Sequence, residues 1–375
     1  MLEIVALAAL AIASIGVGLN LVMAVLARPA SPVVEPCVWP AITVLKPLHG
    51  AEPALAENLA TLFAQDYPGE VQVVFGTRDA DDPALVLARQ FAAARPDGHV
   101  TVAADNSRHG ANNKLSNLIN MDRHARNPIV VIADSDVAWP ADTLRRLVAA
   151  LARPQAGLVS CLHVGRGDAG WWSHLGAMDI SYRFMPSVLL GVKAGLATPV
   201  LGPTMAMTRT TLDRIGGFAA FADVLADDYE FGRAVRALGL KTLTPGFFIT
   251  HGCLESGAAA LVRHEMRWTV TIFHIDRAGF AGSIVLHALP LALIGAGLAG
   301  FCPLSLGVVA AAFGVRAVVK WRIDRASGTV SGPLWLMPFR DILSFGELLA
   351  TFFVHKVDWR GSQFRVTRDG KLQSP

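Results

Sequence analysis

Residues Pro128–Trp139, PIVVIADSDVAW, decide how this chain folds. The run from Ile129 to Ile132 contains only β-branched residues, which predicts a strand buried on both faces, as in a parallel sheet. Asp134-Ser135-Asp136 follows it, and the carboxyl ends of such strands form the crevice where open α/β sheets bind ligands. Two carboxylates in this pattern can share a hard divalent cation. Phosphate oxygens usually complete the coordination shell of such a cation. The stretch therefore predicts a metal-bound diphosphate, unless Asp134 only caps a turn and Asp136 faces water.

Strands and helices alternate on both sides of this stretch. Short apolar runs predict further strands at 41–45, 71–75, 100–102 and 158–162. The residues from Lys46 to Gly50 are expected to form a turn, and amphipathic segments between the strands predict helices. This alternation predicts an α/β fold, a Rossmann-like doubly wound sheet that is mostly parallel.

Composition excludes several classes of protein. The formal net charge of the 375-residue chain is only +3, so nothing points to nucleic acid as a partner. The chain has 4 cysteines, which lie far apart and form no CxxC pair. Neither a disulfide framework nor a zinc site is indicated, and the cysteine pattern fits a reducing compartment.

Hydrophobic residues make up 53% of the chain, and their excess is concentrated at its two ends, which predicts membrane segments. Leu2–Leu26 is long enough to span a bilayer, and the first basic residue, Arg28, comes after it. A cleaved signal peptide normally has a basic start and a shorter apolar core. We therefore expect an uncleaved anchor whose C-terminal end lies in the cytoplasm.

A second apolar region covers residues 278–315, which contain no Asp, Glu, Lys or Arg. As one helix it would measure about 57 Å, about twice the hydrocarbon core, so we expect two spans with a tip at Phe301-Cys302-Pro303. Lys320 and the basic residues after it would return the chain to the cytoplasm. Residues 333–356 are apolar but carry Arg340, Asp341 and Glu347, which predicts an interfacial or re-entrant segment.

Other polar residues complete a candidate site. Asp227-Asp228-Tyr229-Glu230 begins a predicted helix and holds more acid than capping needs. A carboxylate there would stay ionised at neutral pH, and Asp228 is the favoured general base, with Asp227 the weaker candidate. Lys114 binds phosphate in one interpretation and is a solvated helix lysine in the other. His251 is either a third metal ligand or a structural histidine.

The series Asp79, Asp134 with Asp136, Asp228 and Arg267-Trp268 resembles that of processive and lipid-directed glycosyltransferases of the GT-A fold. KPLHGAEP, QDYPGEVQVVF, DADDPA, NNKLSNL, ADDY and the C-terminal DWRGSQFRV resemble the ceramide glucosyltransferase family, over residues 42 to about 366. Bacterial hopanoid-biosynthesis glycosyltransferases are similar. The motifs are specific jointly, although each is weak alone.

The resemblance implies roles for individual residues. Asp79 would hold the uracil or ribose of a UDP-sugar, Asp134 the nucleotide, and Asp134 with Asp136 the metal, Mn²⁺ or Mg²⁺. Pro47 and Gly50 of the KPLHGAEP motif would also bind substrate, as would Lys114.

At the other end of the series, Arg267 and Trp268 would stabilise the diphosphate or line the acceptor site. Two positions depart from the family: animal ceramide enzymes have Gly where this chain has Asp136, and His264 replaces the usual Gln or Arg before Arg267-Trp268.

The expected function is that of a membrane-bound inverting glycosyltransferase, which moves N-acetylglucosamine or glucose from UDP to a lipid hydroxyl. A metal and basic groups would neutralise the leaving diphosphate, and one base opposite it gives inversion. The preferred acceptor is a hopanoid polyol, bacteriohopanetetrol, and the alternative is ceramide. Processive polysaccharide synthesis and a non-catalytic membrane scaffold are further alternatives.

These inferences divide the chain into four parts. Residues 1–28 would form the anchor, 36–277 the GT-A domain, 278–330 a transmembrane hairpin, and 331–375 an interfacial or re-entrant segment with the C-terminal tail. The catalytic domain is expected on the cytoplasmic side of a bacterial inner membrane, to which several passes hold it.

Overall fold

The computed structural model describes residues 1–95, 97–224 and 226–354, together with the backbone of three short strands after residue 355. The chain forms two units. The sheet unit comprises Ala30–His163 and Thr198–Gly252, and the helical unit comprises Met1–Pro29, Val164–Ala197 and Cys253–Pro375. Each unit is therefore assembled from separated segments of the sequence.

The described strands follow one another along the chain as β1 (Ile42–Pro47), β2 (Val71–Thr77), β3 (Val100–Ala104), β4 (Ile129–Ala133), β5 (Val137–Ala138), β6 (Ala156–Ser160), β7 (Leu162–Gly167), β8 (Thr204–Thr208), β9 (Lys241–Leu243), β10 (Phe248–Cys253), β11 (Lys356–Trp359), β12 (Ser362–Val366) and β13 (Leu372–Gln373). The described α-helices are α1 (Leu2–Leu26), α2 (Leu55–Phe63), α3 (Ala84–Ala93), α4 (Asn113–Asp122), α5 (Thr143–Leu151), α6 (Trp171–Asp179), α7 (Met185–Lys193), α8 (Arg209–Arg214), α9 (Asp227–Ala237), α10 (Ala258–Ile275), α11 (Arg277–Gly282), α12 (Ala288–Leu298), α13 (Pro303–Ser327) and α14 (Met337–Thr351). A π-helical turn, Ile180–Phe184, joins α6 to α7, and 3-10 turns occupy Phe218–Phe221, Ser283–Leu286 and Leu334–Leu336.

The sheet unit is built on a sheet of seven strands in the order β3-β2-β1-β4-β8-β6-β9. Strands β3, β2, β1 and β4 run parallel to one another, and β9 runs parallel to β6. Strand β8 is antiparallel to both β4 and β6, so the sheet is mixed. The predicted α/β class with a mostly parallel sheet is therefore confirmed.

Strand β4 lies in the middle of this sheet and is buried along its whole length. Val131 packs into a core with the helices on one face, and Val130 and Ile132 pack into the core on the other face. A strand covered on both sides needs apolar side chains at every position, which the β-branched run provides. Its carboxyl end thus opens where β1 and β2 also end.

Strand β1 is longer than the sequence predicted. It continues to Pro47, so that Lys46, which was expected in a turn, is part of the strand and is fully buried. The phase of the strand explains this burial, because Lys46 lies on the same face as Ile42 and Val44.

In the helical unit, α1 packs closely against the segment that leads into α12. A Cβ atom on Gly16 would lie 2.3 Å from the Val285 carbonyl oxygen, and one on Gly295 would lie 2.7 Å from Leu10 Cγ. Glycine at these two positions lets the backbones approach, as is usual where helices associate in membranes.

Two of the described helices, α1 and α13, are long and apolar enough to cross a membrane. The number rises to three if Arg277–Leu286 and Ala288–Leu298, which are bent by 62°, form one span. The predicted tip at Phe301-Cys302-Pro303 falls in the turn between α12 and α13. The side chains of the C-terminal DWRGSQFRV motif lie outside the described residues.

Candidate active site

The two aspartates of the DSD sequence lie in a tight turn at the carboxyl end of β4. The Asp134 N–H donates to the Pro203 carbonyl at 3.0 Å, and the Gly252 N–H donates to the Asp136 carbonyl at 2.7 Å. The chain then pairs with β10 through β5, where Val137 faces His251. Backbone contacts on both sides therefore fix the positions of the two carboxylates.

One carboxylate oxygen of Asp136 has a partner, and the other has none among the described residues. Its Oδ2 lies 3.3 Å from His251 Nε2, whereas its Oδ1 is shielded from solvent and accepts no hydrogen bond within the described residues. Burial disfavours the carboxylate, but nearby positive charges, that of His251 first, outweigh burial and lower the pKa of Asp136 to about 2. An ionised oxygen with no donor is a ligand of the kind that Mg²⁺ and Mn²⁺ take, so Asp136 fits a divalent cation.

A metal held here would need ligands from outside the protein. Within residues 1–95, 97–224 and 226–354, no group of three or more His, Cys, Asp or Glu side chains is arranged to hold a metal ion. Asp134 and Asp136 would therefore supply two carboxylates, and diphosphate oxygens and water would complete the shell.

Lys114 connects the DSD turn to the start of α9. Its Nζ lies 2.7 Å from Asp134 Oδ1 and 3.8 Å from Asp227 Oδ2. Burial opposes the charged form of Lys114, but Asp134 and Asp227 outweigh it and raise its pKa. Lys114 is positioned by Asn112, whose side chain caps α4 by accepting the N–H groups of Lys114 and Leu115. A solvated lysine would have none of these partners, and the phosphate-binding role of Lys114 stays a prediction.

Asp228 lies in the first turn of α9, next to Asp227. Its Oδ1 accepts the Tyr229 N–H at 2.7 Å. Glycine at position 202 leaves room beside it, since a Cβ there would lie 3.2 Å from Asp228 Oδ2. Burial and the charge of Asp227 raise the pKa of Asp228 to about 6. The backbone donor favours the carboxylate, whereas burial and the like charge of Asp227 oppose it.

Two charged residues that sequence reasoning missed lie beneath the DSD turn. Lys46 Nζ donates to the Val137 carbonyl at 3.1 Å, and the Ser135 hydroxyl donates to Glu52 Oε1 at 2.7 Å. Burial lowers the pKa of Lys46 to about 8 and raises that of Glu52 to about 7. The signal for Lys46 was its strand phase, whereas Glu52 carried no signal in the sequence.

The residues expected to bind the nucleotide lie at the ends of neighbouring strands. Pro47 ends β1 and pairs with Gly76 of β2, and Asp79 follows β2 as an exposed residue. Gly50, at a φ of +73°, donates its N–H to both oxygens of Asp82, at 2.9 and 3.0 Å. Only glycine adopts such a φ without strain, and Asp82, which sequence reasoning did not single out, holds this loop.

Arg267 and Trp268 lie on α10, in the helical unit. His264 Nδ1 pairs with the Glu255 carboxylate, and the His264 ring meets the Trp268 ring edge-on, with 4.8 Å between centroids. His264, which stands where the family has Gln or Arg, is thus held by Glu255 and holds Trp268. Glu255 was missed because it lies in a loop with no periodicity.

Comparison with known proteins shows the family to which the chain is similar. The sequence profile of Glycosyl transferase family 21 matches residues 2–372. Ceramide glucosyltransferase 1 of Caenorhabditis elegans is 24% identical over 224 residues, which are 60% of this chain and 47% of that protein. The ceramide glucosyltransferase of Candida albicans is 26% identical over 125 residues, which are 30% of this chain and 23% of that protein. This chain thus matches about half the length of the worm relative and about a quarter of the length of the Candida relative.

Among solved structures, a mannosyltransferase from Pyrobaculum calidifontis, in complex with GDP-Man and Mn²⁺, is similar over 94% of this chain and 98% of its own. The TM-score is 0.56 and the sequence identity is 26%. The GT-A architecture that the sequence motifs implied is confirmed by this agreement.

Proposed function

Since the chain belongs to glycosyl transferase family 21, we propose that it transfers a hexose from a nucleotide sugar to the hydroxyl group of a lipid. The donor we propose is UDP-glucose, with UDP-N-acetylglucosamine as the other UDP-sugar. The acceptor we propose is ceramide, because the similar curated proteins are ceramide glucosyltransferases. The hopanoid polyol expected from the sequence remains a prediction, and the same experiment tests it.

The observation that carries this proposal is the position of Lys114. Its ammonium group lies 2.7 Å from Asp134 and 3.8 Å from Asp227, which adjoins Asp228. One cation thus links the carboxylate proposed for the nucleotide to the helix start that bears the proposed base. A leaving diphosphate and an attacking hydroxyl need such groups side by side.

In the proposed reaction, Asp228 accepts the proton of the lipid hydroxyl. The hydroxyl oxygen forms a bond to the anomeric carbon while the bond from that carbon to the diphosphate oxygen breaks. The electron pair of the broken bond stays on the diphosphate, whose charge Lys114 helps to balance. Attack from the face opposite the leaving group inverts the anomeric centre.

Asp134 and Asp136 would hold a divalent cation, Mn²⁺ or Mg²⁺, which would supply further charge neutralisation for the diphosphate. Oδ1 of Asp136, which has no hydrogen-bond partner among the described residues, supports this assignment. So does Mn²⁺ in the similar mannosyltransferase, whose complex also contains GDP-Man.

The test is a transfer assay with the full chain in nanodiscs. Ceramide and bacteriohopanetetrol would each be offered with UDP-glucose, UDP-N-acetylglucosamine and GDP-mannose, and lipid products would be identified by mass spectrometry. We expect glucosylated ceramide, its loss after treatment with EDTA, and its return with Mn²⁺ or Mg²⁺.

Asp228→Asn supplies the control, because it should bind the donor but transfer little sugar to lipid. A hopanoid product would show that the acceptor is the hopanoid polyol and not ceramide, and it would support the proposed reaction. Nucleotide release that no lipid accelerates, with no lipid product, would contradict the proposal.

A further inference from the structure

Helix α14 has its charged residues buried inside the helical unit, and its exposed residues are apolar. Its buried residues include Arg340, Asp341, Ser344 and Glu347. The exposed positions of the helix are all apolar: Phe339, Ile342, Gly346, Leu349 and Ala350. A helix at a water-exposed surface has polar residues outside and apolar residues inside. The outer face of α14 therefore does not suit contact with water.

The inner face is satisfied by specific partners. The Arg340 guanidinium donates to both oxygens of Glu265, at 3.0 and 2.9 Å, and to Glu347 at 2.8 Å. Arg316 of α13 donates twice to Asp341, at 2.8 Å each. Buried charges are tolerated only when they are paired in this way, and their positions fix the rotation of α14 about its axis.

The outer face continues the apolar surface of the helices beside it. Phe345 of α14 packs in one apolar cluster with Ala13 of α1 and with Ala312 of α13. Those two helices also expose large apolar side chains, Ile15 at 58% and Leu306 at 48%. Since α1 and α13 are the candidate membrane spans, the same surroundings are available to α14.

Two tryptophans lie at the beginning of this surface. Trp335, just before α14, is 66% exposed, and its ring lies 5.4 Å from that of Trp171, which is 50% exposed. Tryptophan is enriched at the level of the lipid headgroups, because its ring is apolar and its N–H needs a polar partner.

The length of α14 falls short of a full crossing. Its 15 residues extend about 22 Å, less than the ~30 Å of the hydrocarbon core. We propose that α14 lies in the plane of the bilayer interface, with Phe339, Ile342 and Leu349 in the acyl boundary. The occupant of this surface is the lipid bilayer itself.

This position has a consequence for α10. Arg340 binds Glu265, and the Thr351 hydroxyl donates to the Thr269 hydroxyl at 2.8 Å, so two points tie α14 to α10. Arg267 and Trp268 lie between these points along the helix. An interfacial α14 would therefore hold the segment that bears them at the lipid surface.

The test is site-directed spin labelling of the full chain in nanodiscs, after replacement of its 4 cysteines. Nitroxides at 339, 342 and 349 would be compared with a lipid reference at Ile15 and a water reference at Ala94, an exposed residue of the sheet unit. Accessibility to oxygen and to a water-soluble nickel chelate gives the depth of each label. The measurement needs no catalysis, so its result does not depend on whether the proposed function is correct.

We expect all three sites to be accessible to oxygen and protected from nickel, at a common depth of about 5–10 Å below the headgroups. Nickel accessibility equal to that at Ala94 would show a water-exposed face and overturn the proposal. Low accessibility to both reagents would show a protein partner, such as a second copy. Depths that differ by about 15 Å between 339 and 349 would show a tilted or spanning helix.

Discussion

At the scale of single residues, the ionisation of Asp228 governs the expected pH dependence. As the proposed general base, Asp228 must be ionised, and burial together with the charge of Asp227 raises its pKa to about 6. We therefore expect kcat/KM to fall about tenfold per pH unit below pH 6 and to level off above it. Transfer measured from pH 4.5 to 8 at saturating metal checks this.

Variants at these two positions separate the base from its neighbour. Asp228→Asn should lower transfer by about 10²–10⁴-fold and leave donor affinity nearly unchanged. Asp227→Asn should move the acid limb to lower pH, because it removes a charge that raises the pKa of Asp228. An unchanged limb in Asp227→Asn, or near-normal transfer by Asp228→Asn, would contradict the assignment.

Glu255 and His264 should act as a pair. If Glu255 works by holding the His264 ring against Trp268, Glu255→Gln should raise the KM for the lipid acceptor several-fold. The same change should have little effect when position 264 is already Gln. A double-mutant cycle on kcat and KM measures this coupling, for which about 0.5–3 kcal/mol is usual between residues in contact.

A matched pair of outcomes distinguishes positioning from plain stability. His264→Gln, which introduces the residue usual in the family, should keep most of the activity, whereas His264→Ala should lose it. Strictly additive effects of Glu255→Gln and His264→Gln would show that the two side chains act separately.

At the scale of elements, the cap of α4 fixes a residue of the site. Asn112 accepts two N–H groups of the helix and donates to the Val224 carbonyl at 2.8 Å. Asn112→Ala should destabilise the protein by about 1–2 kcal/mol and weaken donor binding, because Lys114 loses its fixed position. Thermal unfolding and donor titration check the two effects, with Asn106→Ala, an exposed loop residue, as the control. Equal effects of the two substitutions would contradict this role.

The sequence predicts those elements whose formation depends on neighbouring residues in the chain. The β-branched run of β4 and the acidic start of α9 were found because strand burial and helix starts leave local patterns. The position of β8 between β4 and β6 was not found, because strand pairing is decided by distant segments. For the same reason the sequence indicated Asp134 and Lys114 separately but not their contact.

At the scale of the whole molecule, two native cysteines report the topology. Cys37 and Cys302 are exposed, whereas Cys161 and Cys253 are buried. With three spans and the sheet unit in the cytoplasm, Cys302 should face outward and Cys37 inward. A membrane-impermeant maleimide added to spheroplasts should label Cys302 at once, and Cys37 only after lysis. Cys302→Ser is the control, and labelling in the reverse order would contradict the topology.

The interleaving of the two units also determines the order in which the ribosome releases their parts. Strands β1 to β4 can pair while they emerge, but β6, complete at Ser160, has no place in the sheet until Thr204–Thr208 follows. During that interval Val164–Ala197, which belongs to the helical unit, is being synthesised. The nascent chain therefore carries an open strand edge on β4, the kind of edge that recruits foreign strands. A ribosome that stalls before β8 would release a fragment prone to aggregation, whereas one that stalls after β9 would release a fragment with every strand of the seven-stranded sheet.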